Sequence, residues 1–540
     1  MSRVMGAPAV RARVLPRAEP PSDHLYDPLV ADLLAERPRL EARFATSWRN
    51  GEALRRLTDK RAPLAPPLAE ALRDYHLRLG AGEASLRALE RVASGEAVCA
   101  VAGQQPAPLG GPLYSLHKTA AAVGMARRIE ARTGVPCVPL FWNHTEDSDF
   151  DEIRSITIGD SSLSLHELAL DERGRAPGGL IGDIPAALLT PLNDHALEHW
   201  SGLPGRDALA QMLREVGGRA RDLGDAHAAL MLRLFAEQGL VVVDPRWPAF
   251  RRAARPILDR YLERADSLAD AARAAGAALE PTIGRRPLAD SALESFVFVV
   301  ERGVRHKISA QDAKRLPASA ELVPSVALRA AVQDGVLPTV AMACGPGELA
   351  YLAQLREVFE GVGVTAACPV PRFSATWMPQ AGTQLLDESG AEPWRVVTAT
   401  DQVLRSVAEA RVPSGLHAEL EAFRRELTAR LQAFAERSTA LDPSLPQMVE
   451  SARGKMDYQL GRLEEGLVAK ARHRLEKAHP EWLRLRYYLL PGDRLQERRL
   501  ASLEPIAHRG PALTADLCDL AETHARELER GEHAHFVLEL

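Results

Sequence analysis

Two segments of the sequence combine glycines with side chains suited to phosphate chemistry. In the first, Gly103 and Gly111 belong to a loop that runs into His117 and Lys118. Glycines let a ligand approach the backbone, and the free N–H groups of a helix start favour an anion. We therefore expect His117 and Lys118 to stabilise charge during phosphoryl or adenylyl transfer. The alternative is an ordinary helix start with two exposed polar residues. Further candidate ligand contacts in this loop are Gln104, Gln105 and Ser115.

The second segment repeats the order of strand, glycine loop and helix start. Gly345 and Gly347 allow close approach of a ligand, Glu348 opens the helix, and Tyr351 follows one turn later. Glu348 could also simply complement the helix dipole. A helical stretch just before this strand supplies three candidate substrate contacts, of which the arginine suits carboxylate or phosphate recognition. They are Arg329, Gln333 and Asp334.

An acidic cluster runs from Glu146 to Glu152. Its carboxylates repel one another unless they meet a cation, an amine or helix N–H groups. Glu146, Asp147 and Asp149 are the catalytic candidates, which would hold Mg²⁺ beside ATP or an amino-acid ammonium group. The alternative is that some of them cap a helix beginning near Asp149 while others face water, which we prefer for Glu152 and Asp151. Trp142, just before the cluster, is either a pocket wall or ordinary core.

The elements around these residues predict a parallel sheet. An apolar run at 97–102, a helical pattern at 115–132 and a second apolar run at 135–142 form a βαβ unit. Further strand-like runs occupy 239–244 and 337–343. Because the ends of parallel strands meet at one edge, the glycine loops and the acidic cluster should face one crevice. Residues 1 to about 22 are expected to form a loose arm.

Composition narrows the class of protein. The chain has 540 residues with 46% hydrophobic content, which favours two or more globular domains. A net charge of −5 provides no basic field for nucleic acid. Without a signal-peptide core or an apolar run long enough to span a bilayer, we expect a cytoplasmic protein with no membrane partner. The 5 cysteines are widely spaced and read as free thiols, and none has zinc-site spacing, so no metal ligands are assigned.

The C-terminal third has a different pattern. Apolar residues follow each other at steps of four and three over 416–434 and over 448–467, separated by the proline-containing segment 442–446. This spacing predicts an antiparallel pair of coiled-coil helices. The pair either packs on its own body or forms a dimerisation arm, and the pattern does not separate the two.

Three long segments resemble the bacillithiol biosynthesis cysteine-adding enzyme family. They are AGQQPAPLGGPLYSLHK (102–118), VPLFWNHTEDSDFDEI (138–153) and SVALRAAVQDGVLPTVAMACGPGELAYLAQL (325–355), and weaker matches occur at 442–456 and 495–503. The resemblance implies an α/β protein with a Rossmann-like parallel-sheet core related to class I synthetases, small insertions and a C-terminal antiparallel coiled coil that pairs two subunits. It implies that His117 corresponds to the histidine motif of those synthetases. Where the family usually has a histidine between the two aspartates, this chain has Ser148, and His144 is a candidate to fill similar space.

The resemblance also implies an activity. It is an ATP-dependent ligase, with Mg²⁺, that joins cysteine to glucosaminyl-malate through an amide in the last step of bacillithiol synthesis. The alternatives are a nucleotide-binding coiled-coil scaffold for thiol synthesis, or a ligase for another amine or sugar. The predicted segments are 1–160 for the N-terminal helices and first half of the core, 161–224 for a connecting insertion, 225–280 for core continuation, 281–325 for a second insertion, 326–402 for the second half of the core, 403–500 for the coiled coil, and 501–540 for a segment returning to the core.

Overall fold

A computed structural model describes residues 12–14, 40, 42–171 and 176–540. Ala12–Val14 form a strand paired with the last strand of the chain, so a loose arm is wrong for these three positions. The rest of the predicted arm lies outside the described residues. The elements before the central sheet are β1 (Ala12–Val14), α1 (Gly51–Thr58), α2 (Pro66–Leu79) and α3 (Glu83–Ser94).

The predicted βαβ unit is confirmed. It consists of β2 (Val98–Gln104), α4 (Leu113–Thr133) and β3 (Cys137–Asn143). Both strands are buried along almost their whole length, as expected for strands covered on both faces. Helix α4 ends at Gly134, whose left-handed conformation (φ 70°) is one that glycine adopts without strain.

The chain then leaves the sheet and returns to it. The first insertion contains an antiparallel pair of strands, followed by helices that lead into the third strand of the sheet. In chain order these elements are α5 (Phe150–Ile153), β4 (Ser155–Gly159), β5 (Leu165–Ala169), α6 (Leu189–His199), α7 (Arg206–Gly217), α8 (Leu223–Leu234), β6 (Val241–Val243), α9 (Pro248–Glu263) and α10 (Ala265–Ile283).

A second insertion forms its own small sheet. Its three strands are antiparallel, and the first in chain order lies between the other two. The chain then completes the central sheet. The elements are β7 (Val297–Glu301), β8 (Val304–Lys307), α11 (Ala310–Ala313), β9 (Glu321–Pro324), α12 (Val326–Val336), β10 (Thr339–Cys344), α13 (Pro346–Gln354), α14 (Arg356–Gly361), β11 (Cys368–Pro371) and β12 (Ala375–Met378).

The central sheet has five parallel strands in the order β11-β10-β2-β3-β6. The chain starts at β2 in the middle, moves outward to β6, and then crosses back to build the other side from β10. The direction of winding therefore reverses between β2 and β10, and in open parallel sheets ligands bind at that reversal, beyond the carboxyl ends of the strands. The predicted Rossmann-like core is confirmed.

Residues 378–490 form a separate helical unit. Its two long helices, at 414–438 and 445–478, are antiparallel. His417, near the start of the first helix, lies 3.6 Å from Glu464, whereas Arg424, further along the first helix, lies 3.3 Å from Asp457, which comes earlier in the second. The unit starts before the predicted boundary at 403, since the helix at 400–410 packs on that at 445–478, and the helix at 380–389 packs on that at 482–489. Its helices are α15 (Gln380–Ser389), α16 (Pro393–Thr398), α17 (Thr400–Ala410), α18 (Ser414–Ser438), α19 (Leu445–Ala478) and α20 (Trp482–Leu489).

The last fifty residues belong to the unit that holds the central sheet, which comprises 1–377 and 491–540. The helix at 513–528 packs along α4, and the strand at 536–539 lies between β1 and β12. The elements are α21 (Glu504–Arg509), α22 (Leu513–Leu528) and β13 (Phe536–Glu539). Among the described helices, none is both long and apolar enough to cross a membrane.

Candidate ligand-binding cleft

A cleft of about 340 Å³ lies at the point where the sheet reverses its winding. The loops after β2 and β10 form two of its walls, so the two glycine segments do face one crevice. The predicted site residues that line it are Gln104, Gln105, Lys118, Asp147, Arg329, Gly345, Gly347, Glu348 and Tyr351.

Lys118 links the two glycine loops. Its Nζ donates to the carbonyl oxygen of Gly103, at the end of β2, over 3.1 Å. The same ammonium group lies 2.6 Å from Glu348 Oε2, in the first turn of α13. Glu348 in turn accepts from the backbone N–H of Gly345 at 2.8 Å, which caps this helix. Lys118 is 4% exposed, so this link between the end of β2 and the loop after β10 is shielded from water.

An amide and two carboxylates form the opposite wall. Gln105 Nε2 donates to Asp147 Oδ2 at 3.0 Å and to Glu152 Oε2 at 2.8 Å. Arg305 Nη1 lies 3.1 Å from the other oxygen of Asp147. Burial alone would raise the pKa of Asp147, but Arg305 and Arg329 outweigh it and lower the pKa below its usual value. Asp147 is therefore an ionised wall of the cleft at neutral pH.

Three arginines contribute to the cleft. Arg372 forms an ion pair with Glu497. Arg329 forms a hydrogen bond with Tyr351, and Arg498 lines the cleft from the segment before α21. Within the part of the chain that the structure describes, neither Arg329 nor Arg498 has a carboxylate at ion-pair distance. Two cations without ion-pair partners beside a wall of carboxylates suit a ligand that carries both anionic and cationic groups.

His144 and Tyr114 complete the polar lining. The pKa of His144 is lowered well below its ordinary value by burial, with Arg329 and Lys118 adding repulsion, so this imidazole is neutral. Burial raises the pKa of Tyr114 to about 12, and its hydroxyl accepts from Gln104 Nε2 at 3.0 Å. Both groups therefore act as neutral hydrogen-bonding partners near pH 7.

His117 does not reach the cleft, contrary to the prediction. Its ring is 0% exposed, with Nδ1 2.9 Å from Glu497 Oε2 and Nε2 accepting from Trp377 Nε1 at 3.3 Å. Since one nitrogen accepts an N–H, the ring is neutral with its proton on Nδ1, in agreement with a pKa lowered by burial. His117 therefore contacts Glu497 and Trp377 and does not line the cleft.

The acidic cluster divides into residues inside and outside the cleft. Asp149 caps α5 by accepting from the N–H of Glu152, and Glu146 pairs with Arg251 at 3.1 Å. Burial raises the pKa of Glu146 to about 7. Neither lines the cleft, whereas Glu152 does, which reverses the predicted assignment for all three. The backbone N–H of Ser148 donates to Asp147 at 2.8 Å, so this position supports the catalytic candidate without lining the cleft itself.

Several predicted ligand contacts are packing residues. Trp142 packs edge-on to Phe250 in the core. A Cβ atom at Gly103 would clash with His144 and Trp142, so a glycine is needed here for packing within the protein and not for ligand approach. Asp334 accepts from the Thr339 hydroxyl and from the backbone N–H of Ala367, the residue before β11. The predicted residues outside the cleft are Gly103, Gly111, Ser115, His117, Trp142, Glu146, Asp149, Gln333 and Asp334.

Five polar residues of the lining are not among the predicted site residues, although His144 was considered as a substitute for the family's histidine. Arg372 follows β11 directly, at the edge where the carboxyl ends of the parallel strands meet, but the two prolines of β11 keep this segment from being predicted as a strand. Arg498 lies in the short segment 495–503 that carried a family resemblance. The unassigned residues are Tyr114, His144, Glu152, Arg372 and Arg498.

Comparison with known proteins adds the family. The sequence model of the bacillithiol biosynthesis BshC N-terminal Rossmann-like domain matches residues 18–320 and 313–373, and that of the BshC C-terminal coiled-coil domain matches 375–529. A protein of Koribacter versatilis (strain Ellin345) is 30% identical over 517 residues, covering 92% of this chain and 95% of its own length. A protein of Symbiobacterium thermophilum is 29% identical, covering 91% and 94%. A Geobacillus kaustophilus protein is 28% identical, covering 87% and 91%.

Each of these relatives carries the name "Putative cysteine ligase BshC". The matches extend over both units of the chain, and they agree with the parallel sheet and the helical hairpin described above. The chain belongs to the bacillithiol biosynthesis BshC family.

Proposed function

We propose that the protein is a ligase that joins the carboxylate of cysteine to the sugar amine of glucosaminyl-malate, using ATP and Mg²⁺. The names of the relatives support cysteine ligation. The observation that carries the rest is the pair of cleft arginines, Arg329 and Arg498, which have no carboxylate partner among the described residues. ATP, cysteine and glucosaminyl-malate all bring anionic groups that such guanidinium groups bind well.

The opposite wall suits the cationic parts of the same reactants. Asp147 and Glu152 share the amide of Gln105, which leaves carboxylate oxygens able to accept from an ammonium group or from water on Mg²⁺. Lys118 and Glu348 hold the two glycine loops at a fixed separation. We infer that the cleft binds its reactants by charge complementarity. The Lys118–Glu348 bridge would keep the two glycine loops at the separation that this binding requires.

The proposed reaction has two steps. An oxygen of the cysteine carboxylate attacks the α-phosphorus of ATP, and pyrophosphate leaves. The glucosamine nitrogen then attacks the acyl carbon, loses a proton and releases AMP. We further propose that the reaction takes place in the cytoplasm, which supplies ATP.

The reconstitution assay decides between a ligase and a scaffold. Purified protein is incubated with glucosaminyl-malate, cysteine and ATP-Mg²⁺, and the thiol product and AMP are followed by mass spectrometry. Formation of both in equal amounts is expected, with loss of product when any one reactant is omitted. An active protein that forms product without consuming ATP would remove the adenylation step, and no product beside an active relative would favour the scaffold.

Replacing Arg498 by alanine tests the anion-binding role of the cleft. We expect Arg498→Ala to lower kcat/KM by about 10- to 100-fold, because a charge-assisted hydrogen bond to an anionic reactant contributes about 1.5–3 kcal/mol. The matched control is Arg499→Ala, since Arg499 is the next residue, is also exposed and does not line the cleft. Equal rates for both variants would contradict the role assigned to Arg498.

The helical hairpin supports a proposal about assembly. Leu416, Phe423 and Phe434 lie seven and eleven residues apart on α18, which places them on one face, and they are 42%, 54% and 55% exposed. An apolar stripe on a two-helix hairpin is commonly completed as a four-helix bundle. We therefore propose that a second copy of this chain covers the stripe and forms a homodimer.

The dimer is tested by charge insertion into the stripe. We expect the wild type to sediment as a dimer and Phe423→Glu/Phe434→Glu as a monomer, because burying unpaired carboxylates is costly. Leu77→Glu is the control, since Leu77 on α2 is similarly exposed at 51% but lies outside the hairpin. A variant with charged residues at 423 and 434 that remains dimeric would rule this surface out.

A further inference from the structure

Outside the cleft, three potential metal ligands converge in the first insertion. Asp160 follows β4, His166 lies on β5 and His199 is the last residue of α6. One ligand atom from each lies within 4.8 Å of the others. His166 Nε2 is 2.8 Å from Asp160 Oδ2, and the imidazole rings of His166 and His199 stack with centroids 3.9 Å apart. The side chains come from three elements, so their convergence depends on the fold.

The carboxylate is held by one oxygen and presents the other. Oδ1 of Asp160 accepts from the backbone N–H groups of Ser162 at 2.8 Å and Ser164 at 3.0 Å, and from the Ser162 hydroxyl at 2.7 Å. These bonds shape the turn between β4 and β5. Oδ2 takes no part in them and faces the imidazole of His166. The turn therefore explains the position of Asp160 but does not require the two histidines.

Packing holds α6, the helix that carries His199, against the turn between β4 and β5. Trp200, the residue after His199, is 0% exposed and donates from Nε1 to the carbonyl oxygen of Gly159 at 3.2 Å. This bond ties the end of α6 to the end of β4. A site whose ligands are held by such contacts needs little rearrangement to bind an ion.

A third histidine lies beside the two histidine ligands. His195 lies four residues before His199 on the same helix, with ring centroids 5.3 Å apart, so it stands next to the other ligands.

We propose that Asp160, His166 and His199 bind one divalent transition-metal ion of the zinc class, with the fourth position open to water or to His195. Two imidazoles and a carboxylate are a ligand set that such ions use, whereas Mg²⁺ prefers oxygen ligands alone. The ion would clamp the β4–β5 hairpin onto α6. None of the three ligands lines the cleft, so this site is separate from the proposed ligase reaction. The sequence prediction, which sought cysteine-containing zinc spacings, assigned no metal ligands here.

Zinc binding to the full-length chain tests the proposal. After dialysis against a chelator, Zn²⁺ is titrated in competition with a chromophoric zinc indicator. We expect one tight equivalent per chain, affinity lowered at least about tenfold in His199→Ala, and no competition by Mg²⁺. His306→Ala is the matched control, because His306 is an exposed histidine on β8 outside the cluster. Equal zinc affinity in the wild type and His199→Ala would overturn the proposal.

A second variant separates ligand loss from misfolding. Asp160→Asn keeps an oxygen that can accept from the Ser162 and Ser164 N–H groups, so the turn is retained while the anionic ligand is lost. We expect this variant to have the metal-free thermal unfolding temperature of the wild type, but to lose the rise in that temperature that Zn²⁺ causes. An Asp160→Asn chain that is stabilised by Zn²⁺ as much as the wild type would also overturn the proposal.

Discussion

Glu497→Ala is expected to lower the free energy of unfolding by about 3–5 kcal/mol, because it leaves the Arg372 guanidinium buried without its counter-ion. Glu497 is 0% and Arg372 7% exposed, and their two hydrogen bonds are 2.9 Å and 2.5 Å long. The same carboxylate accepts from His117 Nδ1 and from the Ser374 hydroxyl, both at 2.9 Å. Removing the Glu497 carboxylate breaks a network that connects α4, through His117, to the segment that follows β11, through Arg372 and Ser374.

The loss is measured by urea denaturation beside Glu52→Ala. Glu52 pairs with Arg56 four residues later on α1, and both side chains are well exposed, at 80% and 61%. Breaking such a surface pair should cost no more than about 0.5 kcal/mol. Similar shifts for the two variants would show that Glu497 does not compensate a buried charge.

The difference between wild type and Glu497→Ala should also depend on pH. Burial alone would raise the pKa of Glu497, but Arg372 and His117 outweigh it and hold the pKa well below its ordinary value. A carboxylate with a depressed folded-state pKa contributes its full stability above its unfolded pKa and loses it as the pH falls through the folded one. The difference should therefore be constant above about pH 5 and shrink only in stronger acid.

Stability and cleft chemistry can be separated in a double variant. Arg372→Met/Glu497→Met replaces the buried pair by apolar side chains, which should restore part of the stability lost in Glu497→Ala. It also removes the guanidinium that lines the cleft. We expect a folded protein with reduced ligase activity. Full activity in this double variant would show that Arg372 serves stability alone.

This network also shows where sequence reasoning was sufficient and where it was not. The strands and glycine loops were predicted because a buried parallel strand is a short continuous apolar run, and that signal is local. Parallel topology then brought Gln105, Lys118 and Gly345 to one cleft, as expected from the shared edge of the sheet. The fold class and about half of the polar lining of the candidate cleft were therefore predictable from short segments.

The errors concern burial, which depends on residues far away in the chain. Nothing near His117 indicates that Glu497 and Trp377 will enclose it. In β11 two prolines argue against a strand, so the arginine that follows it was not placed at the sheet edge. Arg305 belongs to a run of charged residues that would favour a solvated hairpin, but its guanidinium lies 3.1 Å from Asp147, more than 150 residues earlier in the chain. Such long-range pairs leave no periodic trace in one sequence.

Gly124→Val is expected to destabilise the protein by several kcal/mol, because α4 crosses α22 at this glycine. A Cβ atom at Gly124 would lie 2.5 Å from the carbonyl carbon of Ala521 and 2.5 Å from the nitrogen of Glu522. These are backbone atoms, so no side-chain rotation relieves the contact, and the helices must separate. Overpacking of a tight interior typically costs about 1–3 kcal/mol even where some relaxation is possible.

Alanine at the same position gives the sharper comparison, because in a helix it is normally the better residue. Gly217→Ala, at the end of α7, should leave stability unchanged or raise it by up to about 1 kcal/mol, since nothing lies within 4 Å of the added methyl group. Gly124→Ala should lower it. Urea denaturation of the two variants should thus give shifts of opposite sign for one chemical change. If both variants gain stability, α4 and α22 can separate without cost, and the C-terminal segment does not hold α4 in place behind the cleft.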